Sequence, residues 1–346
     1  MTASPTGHNA TTDLSPTTDL SPTSTVTPTG PTMRAISQDT FGGPEVLKEV
    51  RLARPRPGPG QVLVRVRAAG LNPTDWKHRA GGGFLGEPPF VLGWDVSGVV
   101  EETGLGVALL EPGDEVFGML PHPYGVGAHA EYVTAPTRVF ARKPPGIDHI
   151  QAGALPLAAL TAWQALVDTA RLRSGQRVLI HAAAGGVGHL AVQIAKARGA
   201  YVIGTASAGH HAFLRGLGAD EVIDYREDDF AEAVAGSVTE VDVVLDAIGG
   251  DYRTRSLRVL RRGGVLVSLQ PYGKRELVAE AERYGVRAEV MIVEADHAGM
   301  NAVAELAAAG GLRATIAGTF PLARAAEAHK LGETGRTAGK LVLMME

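Results

Sequence analysis

A glycine-rich turn at residues 181–188 is the segment whose composition and spacing best suit chemistry. It reads His181-Ala182-Ala183-Ala184-Gly185-Gly186-Val187-Gly188, a relaxed dinucleotide fingerprint with Ala183 at the first glycine position. Gly185 would let the backbone approach a pyrophosphate, and Gly188 would let a following helix pack closely on the preceding strand. The free N–H groups at the start of that helix would attract the anion. The turn therefore predicts a dinucleotide site that contains Ala184, Gly185, Gly186, Val187 and Gly188.

The end of the next strand bears on the choice between NAD and NADP. An acid about 20 residues after the glycines holds the ribose 2′-hydroxyl of NAD, whereas its charge would repel the 2′-phosphate of NADP. After the predicted strand Tyr201–Thr205, no acid appears before Asp220, and Ser207 and His210 are available as donors. NADP(H) is therefore the expected cofactor. The histidine at 210 is equally compatible with a solvated helix start.

Strands and helices alternate around this turn. The apolar strand Val178-Leu179-Ile180 precedes it, and a helix with Val187, Ala191, Ile194 and Ala195 on one face follows it. Such alternation predicts βαβ units, and hence a parallel sheet with helices on both faces. The further predicted strands are Tyr201–Thr205, Glu221–Asp224, Val241–Asp246, Val265–Leu269 and Ala288–Val293.

The segment before this region follows a different pattern. From residue 33 to about 150, short apolar runs such as Val62, Val64 and Val66 are broken by glycines and prolines, which is typical of a β-rich domain with few helices. A helix at His297–Ala309 and a strand at Leu341–Met344 are assigned back to that domain. The predicted divisions are a disordered Thr/Pro-rich tail at 1–32, a β-rich domain at 33–152 and 294–346, and a nucleotide-binding domain at 153–293.

The composition excludes several classes of function. The 346-residue chain has no cysteine, which removes disulfides, thiolate catalysis and thiolate metal sites. Its net charge of −4 gives no basic footprint for nucleic acid or for a membrane surface. No apolar run approaches the roughly 20 residues that span a bilayer, and the N-terminus lacks the features of a secretory signal. We expect a cytoplasmic protein that acts on small molecules.

The turn and its surroundings resemble a known family. Gly175-Gln176, Leu179, residues 183–186, Gly188, Gln193 and Lys196 fall at the spacing of the quinone oxidoreductase and zeta-crystallin signature. The chain from Met33 onward thus resembles the zinc-independent medium-chain dehydrogenases/reductases. The resemblance implies an α/β fold in which a Rossmann-type doubly wound parallel sheet is inserted in a β-rich GroES-like catalytic domain. It also implies a homodimer paired through the edge strand near residues 288–293.

The positions of two zinc ligands differ in this chain. The segment Gly70–Lys77 resembles the substrate-side loop of the family, where zinc-dependent relatives place a cysteine ligand, with a Gly-His-Glu triplet downstream. This chain has Asn72 in the loop and Gly93-Trp94-Asp95 at the triplet. The resemblance therefore implies no catalytic zinc. The histidines His122, His129 and His181 lack ligand spacing and are interpreted as polar loop or packing residues.

The resemblance also assigns positions along a bound cofactor. Asn72 is expected near the nicotinamide ribose, Thr161 near the nicotinamide, and Tyr225 beside the adenosine 2′-phosphate. The residues expected to line the rest of the cofactor cleft, at strand C-termini, are Ile248, Gly249, Ser268 and Leu269.

The expected reaction is hydride transfer from NADPH to a quinone or to the β-carbon of an enone. The oxygen that becomes negative would be stabilised by Lys77 or by nearby donors, and the proton could come from Lys77, Tyr124 or solvent. Asn72, Lys77 and Tyr124 are therefore the candidate catalytic residues, although Lys77 could equally be a surface charge beside a helical turn. Two alternatives stay open: a zinc-free alcohol or carbonyl oxidoreductase, and a non-catalytic NADPH-binding protein with a sensing task.

Overall fold

The computed structural model describes residues 30–81, 83–237 and 240–345. The predicted disordered tail lies, up to residue 29, outside these residues. Strand β1 begins at Thr32, one residue before the expected start of regular structure. In the described part of the chain, no helix has the length and apolar character needed to cross a membrane.

The described residues form sixteen strands. In chain order they are β1 (Thr32–Gln38), β2 (Lys48–Ala53), β3 (Gln61–Leu71), β4 (Phe90–Val91), β5 (Asp95–Thr103), β6 (Glu115–Met119), β7 (Tyr132–Pro136), β8 (Phe140–Arg142), β9 (Arg177–Ile180), β10 (Tyr201–Ala206), β11 (Glu221–Asp224), β12 (Val241–Asp246), β13 (Leu260–Ser268), β14 (Arg287–Val290), β15 (Ile316–Pro321) and β16 (Lys340–Met344).

The described residues also form ten α-helices. They are α1 (Pro73–Gly81), α2 (His149–Ala154), α3 (Pro156–Trp163), α4 (Gly188–Ala197), α5 (His211–Gly216), α6 (Phe230–Ser237), α7 (Asp251–Leu257), α8 (Lys274–Arg283), α9 (His297–Ala308) and α10 (Ala325–Glu333).

Six strands form an all-parallel sheet in the order β11-β10-β9-β12-β13-β14. Numbered along the chain within this sheet, the order is 3-2-1-4-5-6, the Rossmann arrangement. Val178, Leu179 and Ile180 of β9 are completely buried, as expected for a central strand covered on both faces. The strand order reverses between β9 and β12. Ligands of open α/β sheets bind in the crevice at that point, outside the C-terminal ends of the strands.

A second, mostly antiparallel sheet has the order β15-β16-β3-β5-β6-β8, and β7 also pairs with β3. Strands β2, β1 and β4 form a smaller sheet. Strand β16 runs antiparallel to β3 and places Leu341 opposite Leu71. This pairing brings the end of the chain beside the loop that begins α1, which matters for the site described below.

The predicted fold class, a Rossmann-type sheet combined with a β-rich GroES-like domain, is confirmed. Sequence patterns missed β15 and α10, and they placed the start of β13 at Val265 rather than Leu260. Residues 261–264 of β13 are Arg-Arg-Gly-Gly, which carry no apolar pattern. The helical stretch that follows α2 is not uniform, because α3 starts at Pro156 and a π-helical segment follows at Gln164–Thr169.

Candidate active site

A cleft of about 380 Å³ opens beside the C-terminal ends of the parallel strands, where the sheet faces α1. Its wall is partly apolar and partly polar. The apolar lining residues are Phe84, Leu157, Val187, Leu269, Tyr272, Met291, Ile292 and Val293. The polar lining residues are Asn72, Thr74, Lys77, His78, His122, Thr161 and Gln270. No carboxylate is among the described residues that line it, so the cleft suits an uncharged or anionic ligand.

The glycine-rich turn connects β9 to α4 and forms one end of the cleft through Val187. Its bend is set by Ala182, which has a left-handed φ of 50°, and by the Gly185 N–H, which donates to the Ala182 carbonyl at 2.9 Å. A Cβ on Gly188 would stand 2.7 Å from the Ala183 Cα, so only glycine allows α4 to pack this closely. A Cβ on Gly186 would meet nothing nearer than 3.5 Å. The backbone at 185–186 is therefore open to a ligand, and the turn fits the pyrophosphate of a dinucleotide.

The strand ends β10 and β11 form the region predicted to hold the adenosine. Ser207 Oγ lies 3.1 Å from His210 Nδ1. Asp224, at the end of β11, accepts the Ala208 N–H at 2.8 Å and the Arg226 N–H at 3.0 Å. These bonds, chiefly that from Arg226, hold the pKa of Asp224 below its usual range. An acid from the neighbouring strand thus lies against the 207–210 loop, and the residues that follow β10 in the chain do not indicate this contact.

Tyr225 follows that acid and is 45% exposed. The Arg226 guanidinium lies 5.7 Å from the Tyr225 ring centre. A cation and an aromatic ring therefore stand beside Ser207 and His210, because β10 and β11 are paired at Ala206 and Asp224.

The end of β12 is organised by a buried carboxylate. Asp246 accepts the N–H groups of Ile248 at 2.9 Å and Gly249 at 2.8 Å through one oxygen. Its other oxygen accepts the Ser268 hydroxyl at 2.8 Å. Gly249 has a φ of 82°, a conformation that a residue with a side chain adopts only under strain. Ile248 is 41% exposed beside this turn.

Arg253 of α7 secures the loop that continues from β13. Its guanidinium donates to Ser268 Oγ at 3.1 Å, to the Tyr272 carbonyl at 2.6 Å and to the Gln270 carbonyl at 2.5 Å. This loop supplies Leu269, Gln270 and Tyr272 to the cleft. One side chain of α7 therefore fixes part of the cleft wall.

On the other side of the cleft, Asn72 is the centre of a buried polar cluster. Its side-chain Nδ2 donates to Asp95 Oδ2 at 2.8 Å, and its backbone N–H donates to Asp75 Oδ2 at 2.6 Å. The Lys340 ammonium donates to Asn72 Oδ1 and, at 2.9 Å, to the Leu71 carbonyl. It also lies 3.4 Å from Asp95 Oδ2. None of Asn72, Asp75, Asp95 and Lys340 is more than 3% exposed.

Burial controls the charges of this cluster. It raises the pKa of Asp75 to about 8, and the nearby Asp95 charge acts in the same direction. Burial also raises the pKa of Asp95 and lowers that of Lys340, while the attraction between these two groups opposes both shifts. Asp75 is therefore largely protonated at pH 7, and Lys340 faces one buried carboxylate, Asp95.

Two histidines line the cleft beyond this cluster. His122 Nδ1 donates to the Val293 carbonyl at 3.1 Å, which leaves its Nε2 as an acceptor 3.4 Å from the Thr74 hydroxyl. His78 Nδ1 donates to the Thr74 carbonyl at 2.8 Å, and its Nε2 accepts the Phe84 N–H at 3.3 Å. Burial lowers the pKa of His122 to about 4 and lowers that of His78 as well. Both rings are neutral at pH 7, so they offer polarity without charge.

The donor set at the two zinc-ligand positions does not fit a metal ion. Trp94 is completely buried between the rings of His78 and His122, each 5.2 Å from its own ring. The Asp95 carboxylate already accepts the Leu157 N–H at 2.6 Å as well as the Asn72 amide and the Lys340 ammonium. Across the described stretches of chain, no three His, Asp or Glu side chains are grouped so as to hold a metal.

The structure separates the other predicted catalytic residues. Lys77 is exposed and lines the cleft. Tyr124 is 74% exposed and lies outside the cleft, with its ring 6.0 Å from that of Phe84. Thr161 is 6% exposed, lines the cleft, and donates its hydroxyl to the Leu157 carbonyl at 2.6 Å. Asn72, Lys77 and Thr161 thus meet in one place, and Tyr124 stands at its outer edge.

Sequence reasoning missed Asp95, His122, Arg253 and Lys340 as members of the site. His122, expected to be a polar loop or packing residue, lies in a loop and lines the cleft. The pair Gly339-Lys340 before an apolar strand was visible in the sequence. Nothing local indicated that this lysine would reach Asn72, because the two residues are 268 positions apart.

Comparisons with known proteins agree with this architecture. The family model described as an alcohol dehydrogenase GroES-like domain matches residues 58–145, and the one described as a zinc-binding dehydrogenase matches residues 217–343. The chain is 38% identical over 328 residues to 2-haloacrylate reductase from a Burkholderia species, with 88% of this chain and 96% of that protein covered.

Two solved structures are similar over most of the chain. The quinone oxidoreductase from Coxiella burnetii gives a TM-score of 0.85 at 39% identity and covers 91% of this chain and 100% of its own. The Escherichia coli quinone oxidoreductase complexed with NADPH gives a TM-score of 0.80 at 30% identity, with 90% of this chain and 99% of that chain covered.

Proposed function

The chain belongs to the medium-chain dehydrogenase/reductase family, and we propose that it is an NADPH-dependent reductase of quinones or α,β-unsaturated carbonyl compounds. The relatives of this chain are oxidoreductases, which supports the same general activity here. The single observation that carries the finer proposal is that the open glycine turn and Asn72 border one cleft, whose described lining residues are apolar or polar and include Lys77 but no carboxylate.

The residues that would hold NADPH form a continuous track. The turn at 184–188 would bind the pyrophosphate, the 207–210 loop with Tyr225 would bind the adenosine end, and Asn72 with Thr161 would bind the nicotinamide end. The loops held by Asp246, which carry Ile248, Gly249, Ser268 and Leu269, would close the track. When bound, the reduced nicotinamide supplies a hydride.

NADPH is preferred over NADH in this proposal. Ser207, His210 and Arg226 stand near the predicted 2′-phosphate position as donors or a cation. Asp224 is the opposing feature, but both of its oxygens already accept backbone N–H groups, which partly occupies them as acceptors for a ribose hydroxyl.

The chain's own residues have three tasks at the reacting end. The apolar wall excludes water, which strengthens each polar contact inside. Asn72 is held rigidly by its bonds and orients whatever lies against it. Lys77 and the Thr74 hydroxyl are the donors nearest to an acceptor oxygen that becomes negative. Tyr124 is too far out to be our first choice of proton donor, which leaves Lys77 or solvent.

The proposed reaction uses no zinc. Asn72 and Trp94 replace ligands at the two family positions, and Asp95 is occupied by an amide and an ammonium. The zinc-free alcohol or carbonyl oxidoreductase alternative is also disfavoured, because the described residues that line the cleft include no buried cation with which to polarise an alcohol.

An unsaturated carboxylate is a second candidate acceptor within the same reaction class. Lys77 is the one formal charge that faces the cleft among its lining residues. An anionic acceptor would be attracted to that lysine, and the relative from Burkholderia is named for such a substrate, 2-haloacrylate.

The first test measures loss of NADPH absorbance with 1,2-naphthoquinone, a medium-chain enone and 2-chloroacrylate, each repeated with NADH. Turnover with NADPH and little with NADH is the expected result, and the fastest acceptor assigns the substrate class. Tight NADPH binding without turnover of any acceptor would favour the sensing alternative. Addition of EDTA should leave the rate unchanged, and a rate that falls on EDTA and recovers with zinc would contradict the metal-free proposal.

We also propose a cytoplasmic homodimer paired through β14, the edge strand of the six-stranded sheet. Its backbone offers unpaired groups to a second copy. Light scattering coupled to size-exclusion chromatography should give twice the mass of one chain, and the mass of a single chain would contradict the pairing.

A further inference from the structure

Lys340 connects the two ends of the proposed cofactor track. Its stem passes the glycine turn, since a Cβ on Gly186 would lie 3.5 Å from the Lys340 Cδ. The residue before it, Gly339, donates its N–H to the Ala184 carbonyl at 3.1 Å. The Lys340 ammonium then reaches Asn72 on the far side of the cleft. The Lys340 side chain therefore extends from the glycine turn to Asn72, at the proposed nicotinamide end of the track.

The contacts of Lys340 also determine which way the Asn72 amide faces. Asn72 Oδ1 accepts from the Lys340 ammonium, and Nδ2 donates to Asp95 at 2.8 Å. A flipped amide would place its NH₂ against the ammonium and its oxygen against the carboxylate, and both contacts would be repulsive. If Lys340 served only to balance the charge of Asp95, it would not need to contact the Asn72 amide oxygen as well. The further bond to the Leu71 carbonyl at 2.9 Å fixes the ammonium at the start of the Asn72 loop.

We propose that Lys340 is a positioning residue, which fixes the Asn72 amide and thereby the nicotinamide end of the bound dinucleotide relative to the glycine turn. This inference rests on the proposed function, because it assumes that NADPH lies along the turn. The ammonium is held by the oxygens of Asn72, Asp95 and Leu71, two of which belong to the residues at the zinc-ligand positions. In this chain the Lys340 ammonium lies beside the residues at the zinc-ligand positions.

The test compares Lys340→Met with the matched control Lys330→Met, which removes an exposed lysine of α10. Three quantities are measured for each: kcat with the best acceptor, the Kd of 2′,5′-ADP, and the fluorescence of bound NADPH. The last reports immobilisation of the nicotinamide and needs no acceptor. We expect Lys340→Met to lower kcat about 100-fold, the size of effect caused by misplacement of a reacting group by about 1 Å. The Kd of 2′,5′-ADP should stay within about twofold, and the fluorescence enhancement should be lost.

A second variant separates positioning from charge balance. Lys340→Met leaves Asp95 buried without its cation, which could unfold the chain, so Lys340→Met/Asp95→Asn is measured alongside it. The double variant is electrically balanced, but its Asn72 amide can rotate to bond the new amide. We expect its kcat and NADPH fluorescence to stay low while 2′,5′-ADP still binds.

The outcomes distinguish this inference from the proposed function. Normal kcat and NADPH fluorescence in Lys340→Met, or their recovery in the double variant, would overturn the positioning role and leave the proposed function intact. Equal loss of 2′,5′-ADP binding in both variants would also overturn it, because the effect would then not be confined to the nicotinamide end. If the wild-type protein neither binds nor oxidises NADPH, both the proposed function and this inference are wrong.

Discussion

The two ends of the cleft are built in opposite ways. The glycine turn is eight consecutive residues, 181–188, and it would bind a ligand through backbone N–H groups rather than side chains. The cluster around Asn72 works through side chains from three separate places in the chain, and its Lys340 donates to Asn72 across 268 positions of sequence. The first is specified by absence of side chains and the second by their exact chemical identity.

This difference predicts different sensitivities to mutation. The turn tolerates changes that add no bulk, because its donors belong to the backbone. The cluster is buried, so each of its polar groups must keep its partner, and removal of one leaves another unsatisfied. Added side-chain bulk should therefore be most harmful at the glycine turn, which we call the nucleotide side of the cleft. Changes of charge or protonation should be most harmful at the cluster around Asn72, which we call the acceptor side.

The largest expected effect is that of Gly188→Val. A Cβ at this position would stand 2.7 Å from the Ala183 Cα and 2.8 Å from its carbonyl carbon. Backbone atoms cannot move aside as a flexible side chain can, so we expect a loss of about 3 kcal/mol of stability and no measurable NADPH binding. Thermal unfolding and NADPH fluorescence titration measure the two effects.

Gly216→Ala is the matched control for that substitution. Gly216 lies in α5, and a Cβ there would have nothing within 4 Å. Alanine should leave binding unchanged and increase stability by about 0.5–1 kcal/mol. Tight NADPH binding by Gly188→Val would show that the turn does not set the distance between α4 and the sheet.

Acid should destabilise the fold around the Asn72 side of the cleft. Burial lowers the pKa of His122 to about 4 and that of His129 to about 3, and it lowers that of His329 as well. Between pH 6.5 and about 4 the unfolded chain binds more protons at these sites than the folded chain, so stability falls as pH falls through this window. The fluorescence of the buried Trp94 should report the change, because Trp94 packs beside His122.

His129→Phe sharpens that test. Within the described chain, neither ring nitrogen of His129 has a hydrogen-bond partner, so an aromatic ring without nitrogens sacrifices no bond. We expect the acid midpoint to move about half a pH unit lower. His210→Gln should leave the midpoint where it is, since that histidine is only partly buried. A midpoint unmoved by His129→Phe would mean that its protonation does not drive acid unfolding.

The same contrast explains what could be predicted from the sequence. The β9–turn–α4 unit was predicted because its signals, an apolar run followed by spaced glycines, are local. Its sheet order then follows from the alternation of strands and helices. Asn72 was found only through the family resemblance, since a lone asparagine after Leu71 carries no pattern of its own.

The remaining site residues depend on pairings that no local pattern encodes. Lys340 reaches the cleft only because β16 pairs with β3, and Arg253 acts only because α7 packs beside β13. His122 lies between two prolines in a loop, and its place in the cleft depends on the Val293 carbonyl. Long-range contacts of this kind are determined by the whole fold.

Asp75→Asn should change the alkaline side of the stability profile. The pKa of Asp75 is about 8 in the fold and near 3.8 when unfolded. The folded chain therefore binds more protons at this site within that range, so its contribution to stability is lost as pH rises toward 8. Asparagine can still accept the Asn72 N–H without titrating. Between pH 6 and 8 the wild type should lose about 1–3 kcal/mol more than the variant.

Urea unfolding at pH 6, 7 and 8 measures this difference. Asp39→Asn is the control, because that carboxylate is exposed and paired only with Lys48. Parallel profiles for the wild type and Asp75→Asn would mean that Asp75 is ionised throughout, and the cluster would then hold two charged carboxylates around Lys340.

The smallest expected effect is that of Lys77→Met, which tests whether the acceptor side also discriminates between charged and neutral substrates. Lys77 is exposed at the cleft, and an exposed ion pair contributes at most about 1 kcal/mol, or about fivefold in binding. KM for 2-chloroacrylate should therefore rise up to about fivefold, and that for neutral 1,2-naphthoquinone should stay within about twofold. Added salt should shrink the difference in the wild type but not in the variant. A large fall in kcat for both acceptors would instead make Lys77 a catalytic donor, and unchanged constants for both would leave it a surface charge.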